Sequence, residues 1–297
     1  MRVFITGASG FIGSAATREL LSHGHQVLGL ARSDASADAV TEAGAEVLRG
    51  DLEDLEALKS GAKASDAVLH LGFIHDFSNM ARNTAVDRAA ISAMADAIAG
   101  SGKALMIASG SLMVRAKGGI ATEDTEITRE AGPYDRWKSE DLLLSLAKEK
   151  NIRGMIARFA PTVHGAGDKG FAKIFVDMAR KNGRAIYTDA SARWPACHRL
   201  DAAVLLRLAL EKGQSGGTYH AVAEQGVLLK DTQELIGKRL NLPATCVSVE
   251  EGAQSLGYFA YAMAMDNPTS SEKTQKELGW EPKQIGLHED MLANYFG

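Results

Sequence analysis

Cysteine is scarce in this 297-residue chain: Cys197 and Cys246 are the whole complement, and neither sits at metal-ligand spacing. A disulfide framework or a cysteine-held metal is not expected, and two reduced thiols are. Excess positive charge is also missing. Lys and Arg number 33 against 37 Asp and Glu, a formal net charge of −4, so there is no basic footprint for a nucleic-acid partner. The apolar runs stop well short of the roughly 20 residues that span a bilayer, so no membrane partner is expected. The first residues already read as a strand, with no charged-then-apolar leader before them, and a signal peptide is not expected. No linker, low-complexity run or internal repeat stands out. A cytoplasmic globular protein is expected, long enough to bury a substantial core in one large domain or two modest ones.

What is present begins at once. Residues 1–6 form a short apolar strand, Gly7-Ala-Ser9-Gly10-Phe11-Ile12-Gly13 follows, and a helix-like run continues through residues 15–21. Strand, glycine-rich turn and helix in that order aim backbone N–H groups at a pyrophosphate. The first glycine permits the tight turn, the second a close backbone approach, and the third close packing of helix on strand. Glycines alone are weak evidence, because any turn uses them; the strand and helix on either side point to a dinucleotide.

Apolar strands and polar helical stretches alternate through the first half. Strands are predicted at residues 3–6, 26–31, 45–49, 67–71, 104–108 and 153–159, with helices at 13–22, 36–43, 52–60, 81–100 and 134–150. That alternation predicts an α/β fold, a doubly wound parallel sheet whose ligand crevice lies at the carboxyl ends of the strands. After about residue 160 the pattern loosens. Loops are expected at 161–170 and 188–198, helices at 171–182, 201–212 and around 231–240, a strand at 218–222, and a helix capped by Ser270 or Ser271 that ends at Leu278. The expected organisation is a nucleotide-binding unit over 1–160 and mainly a smaller substrate lobe over 161–297, with some of its segments returning to the core.

Cofactor choice is normally made at the end of the second strand, where an acid accepts from a ribose 2′-hydroxyl and an arginine accommodates a 2′-phosphate. Here Ala31 stands where the acid belongs, followed by Arg32 and Ser33, a cation and a hydroxyl suited to phosphate. The expectation is NADP, with NAD possible; the competing reading makes Arg32 a solvated surface charge. Asp34 comes late and is a helix-cap candidate. Asp51 and Leu52 follow the third strand, where Asp51 suits either the adenine edge or a helix cap. Leu71 and Gly72 end the fourth strand, beneath the expected cofactor.

Tyr134 and Lys138 lie four apart, on one face of a predicted helix. A tyrosine titrates near about pH 10, too high for proton transfer at neutrality, and a lysine cation one turn away favours the phenolate. A hydroxyl is needed to hold the substrate oxygen, and Ser109 and Ser111 lie where the fifth strand meets the crevice. Taken together, Thr6-Gly7-x-x-Gly10-x-x-Gly13, Asp51, the Ser109–Ser111 turn, Tyr134-x-x-x-Lys138 and Arg158-x-x-Pro161-Thr-Val163-His164-Gly165 resemble the extended or atypical short-chain dehydrogenase/reductases related to NAD-dependent epimerases and dehydratases. The resemblance covers most of the chain and implies a Rossmann fold. It further implies Tyr134 as acid/base, Lys138 as its modulator and a ribose ligand, a serine orienting the substrate oxygen, and backbone around Pro161 and Val163 at the nicotinamide amide. Helices 81–100 and 134–150 could pair across a homodimer, as in related enzymes.

Two departures stand out. The family's hydroxyl residue falls at or beside Gly110, so the role passes to Ser111 in preference to Ser109. In Trp194-Pro-Ala-Cys-His198-Arg199-Leu-Asp201, tryptophan replaces an arginine that would hold a nucleotide-sugar diphosphate, with Arg193 next door. His75 suits either a loop or a substrate contact, and His198 suits the junction of the lobes in preference to a catalytic role. His164 belongs to the loop beside the nicotinamide, and the Tyr258–Met265 stripe suits core packing or an oligomer contact in preference to the lining of an apolar pocket. The function expected is an NADP-preferring oxidoreductase moving hydride between nicotinamide and a carbonyl or secondary alcohol of a small organic substrate. Its rivals are an epimerase or dehydratase with retained cofactor and a non-catalytic NAD(P)-sensing regulator. No metal is expected.

Overall fold

The structure is a computed structural model that describes residues 1–76, 79–116, 118–129 and 135–297. In chain order it begins β1 (Arg2–Thr6), α1 (Phe11–Ser22), β2 (Gln26–Ala31), α2 (Asp34–Glu42), β3 (Glu46–Arg49), α3 (Leu55–Lys63), β4 (Ala67–His70), α4 (Met80–Ala97), β5 (Ala104–Gly110), α5 (Trp137–Glu149) and β6 (Arg153–Phe159). It continues β7 (Thr162–His164), α6 (Phe171–Asn182), β8 (Ala185–Tyr187), β9 (Arg193–His198), α7 (Arg199–Lys212), β10 (Thr218–Ala221), β11 (Glu224–Leu228), α8 (Leu229–Leu240) and β12 (Ala244–Cys246). Helices α9 (Val249–Leu256), α10 (Tyr258–Met263), α11 (Glu272–Leu278) and α12 (Leu287–Asn294) close the chain.

The central sheet has seven strands in the order β10-β6-β5-β4-β1-β2-β3, every pair parallel. Alternate side chains of each strand serve opposite faces, so one strand feeds two cores. Val3 and Ile5 pack with Ala16, Leu20, Leu205 and Leu206 on the face covered by α1 and α7. Phe4 faces the other way, with Leu58, Ile91, Met94 and Leu143 of α3, α4 and α5. A third core, holding Phe175, Trp194, Ile236 and Met291, lies under α6, α8 and α12. The doubly wound α/β fold is thus present, and β10, far along the chain, returns to its edge.

The chain reversal β1→β4 leaves a crevice at the carboxyl ends of the strands. Two elements in it were expected as loops: β7 and β9 pair in parallel and, with antiparallel β11, make a separate three-stranded sheet. Two helices begin later than the sequence pattern indicates. The third starts at Leu55 because the Asp54 side chain caps it by accepting from Ala57 N at 3.0 Å. The fifth starts at Trp137, and its expected first residue, Tyr134, lies outside the described residues.

Candidate functional site

The turn after β1 is built from backbone. Gly7 has φ +74°, and a Cβ there would stand 2.9 Å from Gly72 N. A Cβ at Gly13 would stand 1.9 Å from Gly7 O, so no side chain fits. Gly10 N donates to Gly7 O at 2.9 Å and caps α1 without a side-chain bond. The first N–H groups of α1, from Phe11, Ile12 and Gly13, therefore open toward the crevice with no capping oxygen among the described residues, which fits a dinucleotide diphosphate. Ser9 and Gly10 are exposed and Phe11 and Ile12 half-buried at this mouth.

A buried polar chain props the floor. Thr6 Oγ1 accepts from Gly72 N at 3.0 Å and meets His70 Nδ1 at 2.7 Å. His70 Nε2 lies 3.3 Å from Asp87 Oδ1, and Ser139 Oγ donates to Asp87 Oδ2 at 2.6 Å. Burial pushes the Asp87 carboxyl up, but the His70 bond and charge, the Arg136 charge and the Ser139 bond outweigh it and hold it below the usual range. Four elements, β1, β4, α4 and α5, are thereby tied under the glycine-turn end of the crevice. Leu71 is half-buried there, and Leu52 lies against Gly72, where a Cβ would come within 3.0 Å of Leu52 Cδ2.

At the end of β2, Ala31 is buried and Arg32 and Ser33 are exposed. Asp34 pairs with Arg49 at 2.6 Å, and α2 is capped by Ser33, whose hydroxyl accepts from Ser36 N, so Asp34 is not the cap. Arg32 makes no ion pair among the described residues. Asp51 folds its own loop, with Oδ1 accepting from Glu53 N at 2.8 Å and Asp54 N at 3.1 Å. Its carboxylate stays exposed, but the cap of α3 is Asp54.

The expected catalytic residues are less assembled. Ser109 Oγ donates to Glu140 at 2.5 Å, and Glu140 in turn takes Arg158 Nη2 at 2.8 Å, all buried beneath the crevice floor. Ser111 Oγ donates to Asn267 Oδ1 at 3.3 Å, while Asn267 Nδ2 donates back to Ser111 O and Val114 O. Neither hydroxyl is left free. Between them, a Cβ at Gly110 would meet nothing within 4 Å among the described residues. Lys138 is half exposed and pairs with Asp135 at 2.8 Å, while Arg88 holds the same carboxylate at 3.3 Å. Pro161 is half-buried and Val163 buried, on the segment that β7 pins to β9 through Thr162 Oγ1 and Pro195 O at 2.6 Å.

Other side chains reach the site without having been singled out in the sequence. Arg136, inside the five-residue Tyr-x-x-x-Lys motif, donates Nη2 to Ala108 O at 2.9 Å and lies 4.0 Å from the Phe73 ring centre. Burial pulls its pKa down, and Asp87 and Glu140 oppose that. Glu140 and Asn267 hold the two serines. Helical spacing from Lys138 puts no special mark on any of them. Trp194 is buried with Nε1 on Met265 O, and Arg193 pairs with Asp266 at 2.8 Å. Among the described residues, no group of three or more His, Cys, Asp or Glu could hold a metal, and no helix is long and apolar enough to cross a membrane.

Residues 3–222 match the model of the NAD dependent epimerase/dehydratase family. The chain belongs to that family. Within it, the chain is 45% identical over 298 residues to YLL056C, an uncharacterized protein of Saccharomyces cerevisiae, covering 99% of both. It is 40% identical over 297 residues to uncharacterized protein C2A9.02 of Schizosaccharomyces pombe, covering all of both. Its fold is that of the dTDP-glucose 4,6-dehydratase DesIV of Streptomyces venezuelae, solved with NAD and TYD bound. The TM-score is 0.77 at 18% identity, over 99% of this chain and 96% of that one. The epimerase/dehydratase family lies in the extended short-chain dehydrogenase/reductase superfamily, whose members are typically NAD(P)-dependent enzymes.

Proposed function

We propose that this epimerase/dehydratase-family chain is an NADP-preferring oxidoreductase acting on a carbonyl or secondary alcohol of a small organic substrate. One observation carries the cofactor half: Arg32 is unpaired among the described residues at the end of β2, while Asp34, the nearest acid in sequence, pairs with Arg49. A 2′-phosphate meets Arg32 and Ser33 there, and a 2′-hydroxyl finds no free carboxylate on residues 31–34. When bound, the cofactor supplies or accepts the hydride. The chain's own work is binding, orientation and proton transfer. The open N–H groups of α1 take the diphosphate; Asp51, Leu52, Leu71 and Gly72 border the adenosine side, and Pro161 and Val163 border the amide.

Tyr134 exchanges the proton on the substrate oxygen, and Lys138 lowers the cost of its phenolate. Lys138 reaches the ribose by giving up Asp135, and Ser111 reaches the substrate by giving up its 3.3 Å bond to Asn267. Dehydration calls for an acid beside the reacting hydroxyl. Among the described residues, Glu140 is spent on Arg158 and Ser109, and Asp87 on His70 and Ser139, which favours simple reduction or oxidation over elimination. The engaged serines and the bare Gly110 favour a second reading, an NAD(P)-sensing regulator that binds without turnover. Turnover by the unaltered chain separates them, and the Tyr134→Phe variant tests the acid/base. It should bind NADPH as the unaltered chain does and lose about 10²- to 10⁴-fold in turnover on a carbonyl panel; full activity in this variant would rule out the proposed acid/base.

A further inference from the structure

Arg199 is the first residue of α7, on the part of the chain beyond residue 160. Its stem lies against Gly165, where an added Cβ would come within 3.0 Å of Arg199 Cγ and 3.1 Å of Cδ. Its guanidinium carbon lies 5.1 Å from the ring centre of Phe11, the first residue of α1. The stem is thus confined between the loop after β7 and the mouth of the glycine turn. The start of α7 is itself fixed: His198 Nδ1 accepts from Leu200 N at 3.2 Å, and the His198 ring packs edge-on against His164 at 5.3 Å. His164 is buried and bonded to Asp290 of α12 at 3.0 Å. Other arginines around the crevice are committed, Arg158 to Glu140, Arg193 to Asp266 and Arg136 to Ala108 O. Arg199 is half-buried and makes no hydrogen bond or ion pair among the described residues. A guanidinium so placed, stacked on an aromatic ring beside unsatisfied N–H groups, matches the charge and fork geometry of a phosphate.

We propose that Arg199 binds the diphosphate of the dinucleotide, clamping it from the opposite side to the glycine turn and coupling the segment after residue 160 to cofactor occupancy. This rests on the dinucleotide reading above. A nucleotide-diphosphate substrate offers the same chemistry, and the contact with Phe11 selects the cofactor. The test titrates the full chain, Arg199→Met and Arg199→Lys with NADPH by fluorescence, then with ADP-ribose, adenosine 2′-phosphate and UDP by competition. Methionine keeps the stem that fills the space at Gly165. The expected result is about 10- to 100-fold weaker NADPH and ADP-ribose binding in Arg199→Met, the scale of a lost charged hydrogen bond. Adenosine 2′-phosphate affinity should be unchanged and Arg199→Lys intermediate. NADPH binding by Arg199→Met within twofold of the unaltered chain overturns the assignment, as does a loss confined to UDP. A uniform loss for all four ligands with a lowered Tm makes the residue structural and also overturns it. Failure of the unaltered chain to bind any dinucleotide overturns the dinucleotide reading itself, a distinguishable outcome.

Discussion

The two ends of the crevice are made differently. At the end under β1 and β2, the contacts are backbone: glycines too crowded for any side chain, N–H groups without caps, and a floor tied by Thr6, His70 and Asp87. At the end under β5 and β6, the contacts are side chains already satisfied by one another: Ser109 on Glu140, Ser111 on Asn267, Lys138 on Asp135. A backbone site is preorganised at no further cost when a ligand arrives, whereas a side-chain site must exchange partners first. Cofactor affinity should accordingly depend mainly on the first end, with Lys138 at the ribose the second end's contribution, while chemistry depends on both.

Breaking the first end should have the largest effect. Gly13→Ala forces a methyl to within 1.9 Å of Gly7 O. It should abolish NADPH binding by fluorescence titration and cost about 1–3 kcal/mol or more of stability by denaturant unfolding. At the second end, Glu140→Gln leaves the buried Arg158 charge without its carboxylate. An expected loss of about 3–5 kcal/mol in urea unfolding follows, with NADPH affinity in the folded fraction unchanged. A smaller change sharpens the contrast: Arg32→Ala should weaken NADPH about tenfold, the scale of one charged hydrogen bond, and leave NADH affinity untouched. Equal losses for both cofactors would move Arg32 off the 2′-phosphate.

The smallest effect is on pH. Burial, together with the His164 and Arg199 charges, lowers the His198 pKa despite Asp290 and Asp201. The unfolded chain therefore takes up this proton at a higher pH than the folded one. The stability so contributed is fully present above the ordinary histidine range and is lost as pH falls through the folded pKa. Tm should decline from pH 7 toward pH 5, and His198→Gln should flatten that decline; an unchanged slope would exclude His198 as its source.

The same contrast explains what the sequence made legible. Strands β2 and β6 and helix α6 have the boundaries their apolar patterns indicate, because parallel core strands and amphipathic helices carry a local period. The glycine turn is equally local, since each glycine answers a steric need within a few residues or at β4. Strands β7 and β9 read as loops because β7 has only three residues, β9 contains Pro195, and their pairing joins segments more than 30 residues apart. The partners of Ser111 and His164, Asn267 and Asp290, lie 156 and 126 residues away. No spacing rule reaches that far, so the committed state of the hydroxyls and the approach of Arg199 to Phe11 emerge only from the fold.

Net redox chemistry at an NADP-preferring crevice would set this chain apart from a sensor and from an enzyme that returns its hydride. It is tested most directly by following nicotinamide absorbance while the purified chain meets a panel of small carbonyl compounds with NADPH and, in parallel, NADH. The expected result is net oxidation of NADPH, faster than of NADH, with one equivalent of alcohol formed per equivalent consumed. Tight NADPH binding with no net consumption on any carbonyl would contradict it and leave a sensor or an enzyme that returns its hydride.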